Sequence, residues 1–228
     1  MNALLITGTD TDAGKTVLTM ALAAYWQRYC QPRRLGVMKL IQTGQGDREL
    51  YSSLFQLDQT PEELNPLYFQ APLAPPLAAA QEGRRVDLEI VWRTFETLSS
   101  RCDFVLVEAL GGLGCPLTSE TTVADLAWDW RLPTVLVVPV RLGAISQAVA
   151  NVALAQVAHA YLKGMILNCV HPCSETEVAN WTPTKLIQSL TNTPILGRIP
   201  HLTDPTNLAQ LTQAAADLDI ERLLPLSA

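Results

Sequence analysis

One stretch near the N-terminus, GTDTDAGKT at residues 8–16, constrains the fold more than any other part of the chain. An apolar run at residues 3–7 comes before it, and apolar residues at helical spacing follow it over residues 16–29. Strand, glycine-bounded turn and helix in this order are typical of a phosphate-binding loop, where backbone N–H groups and a helix N-terminus bind phosphate oxygens. We expect Lys15 to reach the β- and γ-phosphates and the Thr16 hydroxyl to bind Mg²⁺.

The loop departs from the standard motif in its spacing. The standard motif has four residues between its first glycine and Gly-Lys, whereas five residues separate Gly8 from Gly14 here, with Thr9 at the position of the first glycine. An ordinary glycine-containing turn before a helix is the alternative interpretation. The order of strand, turn, Gly-Lys-Thr and amphipathic helix favours the nucleotide site.

Predicted strands and helices alternate along the rest of the chain, and the strands are apolar on both faces. The sequence therefore predicts a single domain over residues 1–228 with an α/β fold, a doubly wound, mostly parallel sheet of the P-loop NTPase type. A proline-rich segment, residues 58–81, is predicted as a long ordered loop. The predicted strands are 3–7, 35–40, 103–108, 133–140, 164–168 and 194–199, and the predicted helices are 16–29, 48–57, 86–100, 122–130, 143–162, 182–191 and 207–224.

Polar side chains stand at or just after the ends of three predicted strands: Lys39, Glu108 and Asn168. Carboxyl ends of parallel strands meet at one edge, so we expect them to converge on the phosphate loop. Glu108 is predicted to hold Mg²⁺, with a turn-capping acid as the alternative, and Asp47 is a candidate second carboxylate. Lys39 would stabilise transferring phosphoryl charge or would be a snorkelling surface lysine. Asn168 could read an adenine edge or form a turn.

Charge and hydropathy exclude some classes of partner. The net charge of −6, without a basic cluster, argues against nucleic-acid binding. No apolar run approaches the roughly 20 residues of a membrane span, and the N-terminus lacks the basic region of a signal peptide. Five scattered cysteines read as reduced thiols. We therefore expect a cytoplasmic protein.

With these motifs in view, the chain resembles the dethiobiotin synthetase family over nearly its whole length. The extended loop matches the family pattern G-T-D-T-x-x-G-K-T, including the five-residue spacing. Proline-rich and then alanine-rich residues at 71–80 also fall where the family has them. Further similarities are KLIQTG at 39–44 to K-P-V-x-[S/T]-G, VEALGG at 107–112 to V-E-G-x-G-G, RLG at 141–143 to K-L-G, and GRIP at 197–200 to G-x-I-P.

The resemblance implies an ATP- and Mg²⁺-dependent reaction that gives dethiobiotin, ADP and phosphate. CO₂ (from bicarbonate) adds to an amine of 7,8-diaminononanoate, and the carbamate attacks the γ-phosphate of ATP. The second amine then closes the ureido ring and expels phosphate. The resemblance also implies a homodimer in which the carboxylate tail of the substrate lies at the subunit interface, near the helix that follows Gly143.

Roles for individual residues follow from the same resemblance. Lys15 and Lys39 would be catalytic, and Thr11 and Thr43 would bind the diamine or the carbamate. The Mg²⁺ ligands would be Thr16, Asp47 and Glu108. The nucleotide and its metal would be bound by Asp12, Ala13, Gly14, Lys15, Thr16, Val17, Asp47, Glu108, Asn168, Pro200, His201 and Leu202.

The chain departs from the family pattern at several positions in and near the site. Asp12 replaces the Glu of many members, Leu40 replaces a proline, Ala109 and Leu110 replace Gly-Ala, and Arg141 replaces a lysine. The alternative function is a P-loop ATPase switch that regulates or positions a protein partner. Many such switches carry a second lysine early in the loop, where this chain has Thr11.

Overall fold

The structure, a computed structural model, describes residues 2–44 and 46–226, with residues 47 and 48 described by their backbone alone. Its central strands are buried along nearly their whole length. The strands are β1 (Ala3–Gly8), β2 (Leu35–Lys39), β3 (Gln42–Thr43), β4 (Tyr68–Phe69), β5 (Phe104–Gly112), β6 (Thr134–Pro139), β7 (Leu162–Asn168) and β8 (Ile195–Ile199).

Across the described residues, six strands form one parallel sheet in the order β2-β5-β1-β6-β7-β8. The strands β3 and β4 form a separate parallel pair. Parallel neighbours need crossover connections, which are mostly helical here. The helices are α1 (Lys15–Tyr29), α2 (Asp47–Leu54), α3 (Pro61–Leu64), α4 (Pro75–Gln81), α5 (Leu88–Arg101), α6 (Val123–Asp129), α7 (Ala144–Val157), α8 (Glu175–Trp181), α9 (Thr184–Thr191), α10 (Leu208–Ala216) and α11 (Ile220–Leu223).

The sheet is covered by helices on both faces. Along β1, Leu4 and Ile6 pack with α1 and α10, whereas Ala3 and Leu5 pack with α5 and α6 on the opposite face. The helix α7 packs on the residues of β6 that point away from α1. The predicted doubly wound α/β fold is therefore confirmed. The helices that follow the neighbouring strands β1 and β6 leave to opposite faces, which opens a crevice at their carboxyl ends.

Side-chain amides cover the free edge of β2. Gln59 accepts a hydrogen bond from the backbone N–H of Val37 at 2.8 Å and donates to its carbonyl at 2.9 Å. Asn65 donates to the carbonyl of Lys39, which lies two residues further along the strand, at 3.1 Å. Residues two apart on a strand turn their polar backbone groups to the same side. The segment after α2 therefore pairs with the edge of the sheet without forming a strand there.

The prediction of a loop over residues 58–81 is wrong, because the prolines there start helices. Thr60 and Glu63 form a capping box at the start of α3, and Pro61 follows the cap. Pro75 and Pro76 occupy the first turn of α4, where an N–H group would have no helical partner. The short strand β4 lies between these two helices.

Other elements also differ from the prediction: β5 continues to Gly112 instead of ending at Glu108, and the short strand β3 is not among the predicted strands. The helix α7 ends at Val157 rather than at residue 162, because His159 turns into the left-handed region with φ 57° and β7 begins at Leu162. The predicted helix 207–224 is split into α10 and α11, and α8, which Ser174 caps, was not predicted. No helix in the described ranges is both long enough and apolar enough to cross a bilayer.

Candidate active site

The loop between β1 and α1 is held by its own lysine. Lys15, which is 4% exposed, donates from Nζ to the carbonyl of Asp10 at 2.9 Å and to that of Thr11 at 2.8 Å. The helix α1 begins at Lys15, so the loop delivers its last residues to a helix N-terminus. This is the geometry in which unpaired N–H groups and the helix dipole favour a bound phosphate.

Two glycines of the loop are required by close contacts. A Cβ on Gly8 would lie 2.8 Å from both Ala13 Cβ and the carbonyl oxygen of Asp10. Gly14 has φ 90°, and a Cβ there would lie 1.8 Å from Nδ2 of Asn168. The folded loop therefore excludes side chains at both positions.

Glu108 is the centre of a buried cluster beside the loop. Its carboxylate, at the β5 position that pairs with Lys39 of β2, is 0% exposed. Oε1 accepts from Lys39 Nζ at 2.6 Å and from Thr16 Oγ1 at 3.0 Å. Oε2 accepts from the hydroxyl of Tyr51 on α2. The register of β2 on β5 brings Lys39 and Glu108 together, and α1 brings Thr16.

The donors at this point suit Mg²⁺, which prefers carboxylate and hydroxyl oxygens together with phosphates. Thr16 Oγ1 on α1 and Glu108 Oε1 on β5, the strand beside β1, lie 3.0 Å apart. The side chain of Asp47, the third predicted metal ligand, lies outside the described residues. Its backbone begins α2.

Asn168, at the end of β7, is tied to the phosphate loop. Its Nδ2 donates to the carbonyl of Ala13 at 2.9 Å. This hydrogen bond fixes which end of the amide is the donor, since a carbonyl accepts only from the nitrogen. The oxygen Oδ1 is then the end available to accept a hydrogen bond from another group.

A cleft of about 610 Å³ lies over these groups at the carboxyl edge of the sheet. Among the predicted site residues, it brings together the two lysines, the two threonines proposed for the substrate, and the metal-site pair. Val17 instead packs against the core, and Ala13, within the loop, is buried. The cleft is lined by Thr11, Asp12, Gly14, Lys15, Thr16, Lys39, Ile41, Gln42, Thr43, Glu108, Leu110, Gly111, Val170 and His171.

The loop after β8 lies outside this lining. Pro200 is exposed, and Leu202 packs against the core. His201 contacts the carbonyl of Val170 through Nδ1 at 3.1 Å. His201 therefore borders the cleft through Val170, which does line it.

Sequence reasoning missed two contacts at the site. The first is the contact of Tyr51 with Glu108. The sequence contains one indication of it, because Tyr51 lies one helical turn after Asp47, at the start of α2. Arg141 forms an ion pair with Asp10 of the phosphate loop, although both side chains are more than 40% exposed. Hydrogen bonds from Arg141 and from the backbone N–H of Thr11 hold the pKa of the Asp10 carboxyl below its usual value.

All five cysteines are free thiols, as predicted. Burial raises the pKa of Cys115, which lies beside Gly111 near the cleft. It also raises the pKa of Cys169 to about 11. A thiol with a raised pKa is a poor nucleophile, so neither residue has the character of a catalytic cysteine.

Comparison with known proteins gives a consistent result. A family model described as an AAA domain matches residues 2–209. The ATP-dependent dethiobiotin synthetase BioD of Gloeothece citriformis is 60% identical, over 99% of this chain and 100% of that protein. The protein of the same name from Synechocystis is 50% identical, over 96% and 94%. Among solved structures, the MinD cell division protein of Aquifex aeolicus superposes with a TM-score of 0.61 at 17% identity, over 100% of this chain and 99% of that one, which shows similarity of fold alone.

Proposed function

The chain belongs to the ATP-dependent dethiobiotin synthetase family, and from that membership we propose how its cleft closes the ureido ring of dethiobiotin. One observation carries the proposal. Three elements, α1, β2 and β5, bring four residues to one cleft: Lys15, Thr16, Lys39 and Glu108. Relatives of this name at 50–60% identity support the synthetase and not the alternative of a regulatory ATPase switch.

The substrate diamine would bind at Thr11 and Thr43, which both line the cleft. One amine attacks CO₂, which forms a C–N bond and releases a proton. An oxygen of the resulting carbamate attacks the γ-phosphorus of ATP and breaks its bond to the bridging oxygen of ADP. The second amine attacks the carbonyl carbon of this carbamic–phosphoric anhydride, the carbon–oxygen bond to phosphate breaks so that phosphate leaves, and the amine releases a proton as the ring closes.

The two lysines would supply the positive charge for these anionic steps. Lys15 lies at the phosphate loop, and Lys39, at the end of β2, lines the same cleft. An ammonium on a flexible four-carbon stem can follow a developing charge. Lys39 would therefore turn from Glu108 to the carbamate and the transferring phosphoryl group, where fixed positive charge lowers the barrier.

Separate groups would bind the Mg²⁺ ion and the adenine base of ATP. Thr16 and Glu108, with Asp47 as a third ligand, would hold Mg²⁺, which neutralises charge on the β- and γ-phosphates. Asn168 would accept a hydrogen bond at Oδ1 from the 6-amino group of adenine, because its Nδ2 already donates to Ala13. Guanine carries an oxygen at that position, so this orientation favours ATP over GTP.

We further propose a cytoplasmic homodimer of one domain per chain. An apolar groove of about 500 Å³ at the start of α7 supports the dimer. Leu142, at its rim, is 84% exposed. The groove is lined by Leu142, Gly143, Ile145, Ser146, Val149, Ala150, Asn180, Trp181 and Leu190.

Sedimentation tests the dimer. Leu142→Asp should convert a particle of about 50 kDa, twice 24.9 kDa, into a monomer. The control is Val157→Asp, which changes a 78% exposed residue at the other end of α7 and should leave the dimer intact. A wild-type chain that sediments as a monomer would contradict the proposal.

Phosphate release from ATP, Mg²⁺ and bicarbonate, with and without 7,8-diaminononanoate, tests the function. We expect release that requires the diamine, and a product with the mass of the cyclic urea. Omission of Mg²⁺ or bicarbonate should abolish the reaction. Release that is indifferent to the diamine would refute the proposed chemistry and point to a regulatory ATPase.

A further inference from the structure

Tyr51 is a buried tyrosine whose hydroxyl reaches the carboxylate of the proposed metal site. Its side chain is 0% exposed and packs in the core next to α1 and β2. The hydroxyl donates to Oε2 of Glu108, which lies 57 positions away in the sequence. A buried phenol needs such a partner, and here the partner is a charged group. The hydrogen bond ties α2 to the middle of β5.

The two oxygens of Glu108 have different partners. Oε1 accepts from Thr16 and Lys39, whereas Oε2 accepts from Tyr51. The terminal torsion of a glutamate is broad and roughly two-fold, so a carboxylate held at only one oxygen can rotate. The hydroxyl of Tyr51 opposes that rotation and keeps Oε1 directed at Thr16.

The hydrogen bond from Tyr51 to Glu108 matters most when Lys39 moves away from the carboxylate. In the proposed reaction Lys39 turns towards the carbamate, and Oε1 then keeps only its contact with Thr16 among the contacts described above. The bond from Tyr51 does not depend on that movement, because it involves the other oxygen. Tyr51 is therefore placed to keep the carboxylate oriented during turnover.

We propose that Tyr51 is a positioning residue for Mg²⁺-dependent nucleotide binding, acting through Oε2 of Glu108. This inference rests on the proposed function, which assigns Mg²⁺ to Thr16 and Glu108. Groups that hydrogen-bond a metal-binding carboxylate typically change metal affinity by 10–100-fold when they are removed. The nucleotide contacts proposed for the phosphate loop and Lys15 would not depend on this hydrogen bond.

The test is Tyr51→Phe, which removes the hydroxyl and keeps the ring in the core. Tyr161→Phe is the matched control, since it removes a phenol that is 65% exposed and does not line the cleft. Calorimetry measures ADP binding to each chain with Mg²⁺ and with EDTA. We expect Tyr51→Phe to weaken the binding of ADP with Mg²⁺ about tenfold, to leave metal-free binding unchanged, and to regain affinity at excess Mg²⁺.

Two results would overturn the inference. One is a Tyr51→Phe chain that binds ADP as the wild type does with and without Mg²⁺. The other is equal weakening of both forms, which would indicate a general structural defect. The wild type alone reports on the proposed function. If its ADP affinity does not depend on Mg²⁺, the metal assignment fails and the role of Tyr51 fails with it.

Discussion

Replacement of Lys39 by Met should destabilise the chain strongly, because it leaves a buried carboxylate without its cation. Glu108 is 0% exposed, and Lys39 Nζ lies 2.6 Å from its Oε1. At an effective dielectric constant of about 20, unit charges at this separation attract by about 6 kcal/mol. Desolvation of the two groups offsets part of this attraction, and the hydrogen bonds from Thr16 and Tyr51 remain.

We therefore expect Lys39→Met to lower the free energy of unfolding by about 3 kcal/mol, near the low end for breaking a buried ion pair. For a chain of 228 residues, that loss corresponds to a fall of roughly 6–12 °C in melting temperature. Urea unfolding measures the loss directly. Lys163→Met is the control, because Lys163 is half-buried in β7 and forms no ion pair among the described residues.

A double-mutant cycle isolates the interaction itself. Lys39→Met and Glu108→Gln, alone and together, should give a coupling energy of about 2 kcal/mol. A loss below about 1 kcal/mol in Lys39→Met, or a coupling below about 0.5 kcal/mol, would refute the reasoning, because the pair would then behave as a solvent-exposed one. The cycle is measured without nucleotide, so it does not depend on the proposed reaction.

Three further predictions concern the phosphate loop. Gly14→Ala should abolish detectable ADP binding in calorimetry while the chain stays folded by circular dichroism, since a Cβ there meets Asn168 Nδ2 at 1.8 Å; near-normal affinity would contradict the close contact. Asn168→Asp should weaken ADP binding about tenfold, because a carboxylate replaces the donor to the Ala13 carbonyl and a lost buried hydrogen bond costs about 1–3 kcal/mol; an unchanged Kd would exclude this link. Because the pKa of Asp10 is lower in the folded chain than its unfolded value of 3.8, the ionised carboxylate stabilises the fold at pH values above 3.8. This contribution is lost as the pH falls through the folded pKa. Arg141→Gln should raise that pKa in an NMR titration and cost at most about 1 kcal/mol at pH 7, because the pair is exposed; an unmoved titration would show that the ion pair is absent in solution.

Local patterns were sufficient to predict the sheet and the phosphate loop. A few consecutive residues are enough to identify the apolar runs of β1 and β5 and the glycine-bounded turn before Lys15. The structure contains all three. Lys39 and Glu108 could be placed at one edge because strand ends in a parallel sheet share it. Their contact at 2.6 Å needs the register of β2 on β5, which periodicity alone does not determine.

Contacts over long sequence separations were not predictable from local patterns. The bond between Tyr51 and Glu108 depends on how α2 docks on the core, and the link from Asn168 to Ala13 spans 155 positions. The prediction of a loop over residues 58–81 is wrong because proline marks a helix start as well as a loop. The predicted end of α7 is wrong because His159 adopts φ 57°, a conformation that a histidine in the sequence does not by itself indicate.

The side-chain amides of Gln59 and Asn65, which bind the outer edge of β2, have a consequence for solubility. An unpaired outer strand can recruit a strand from another molecule and start intermolecular aggregation. Here the peptide groups of Val37 and the carbonyl of Lys39 are already bound by side chains that cannot themselves propagate a sheet. Loss of the Gln59 side chain should therefore cause the protein to aggregate during expression and concentration before it changes the rate of the reaction.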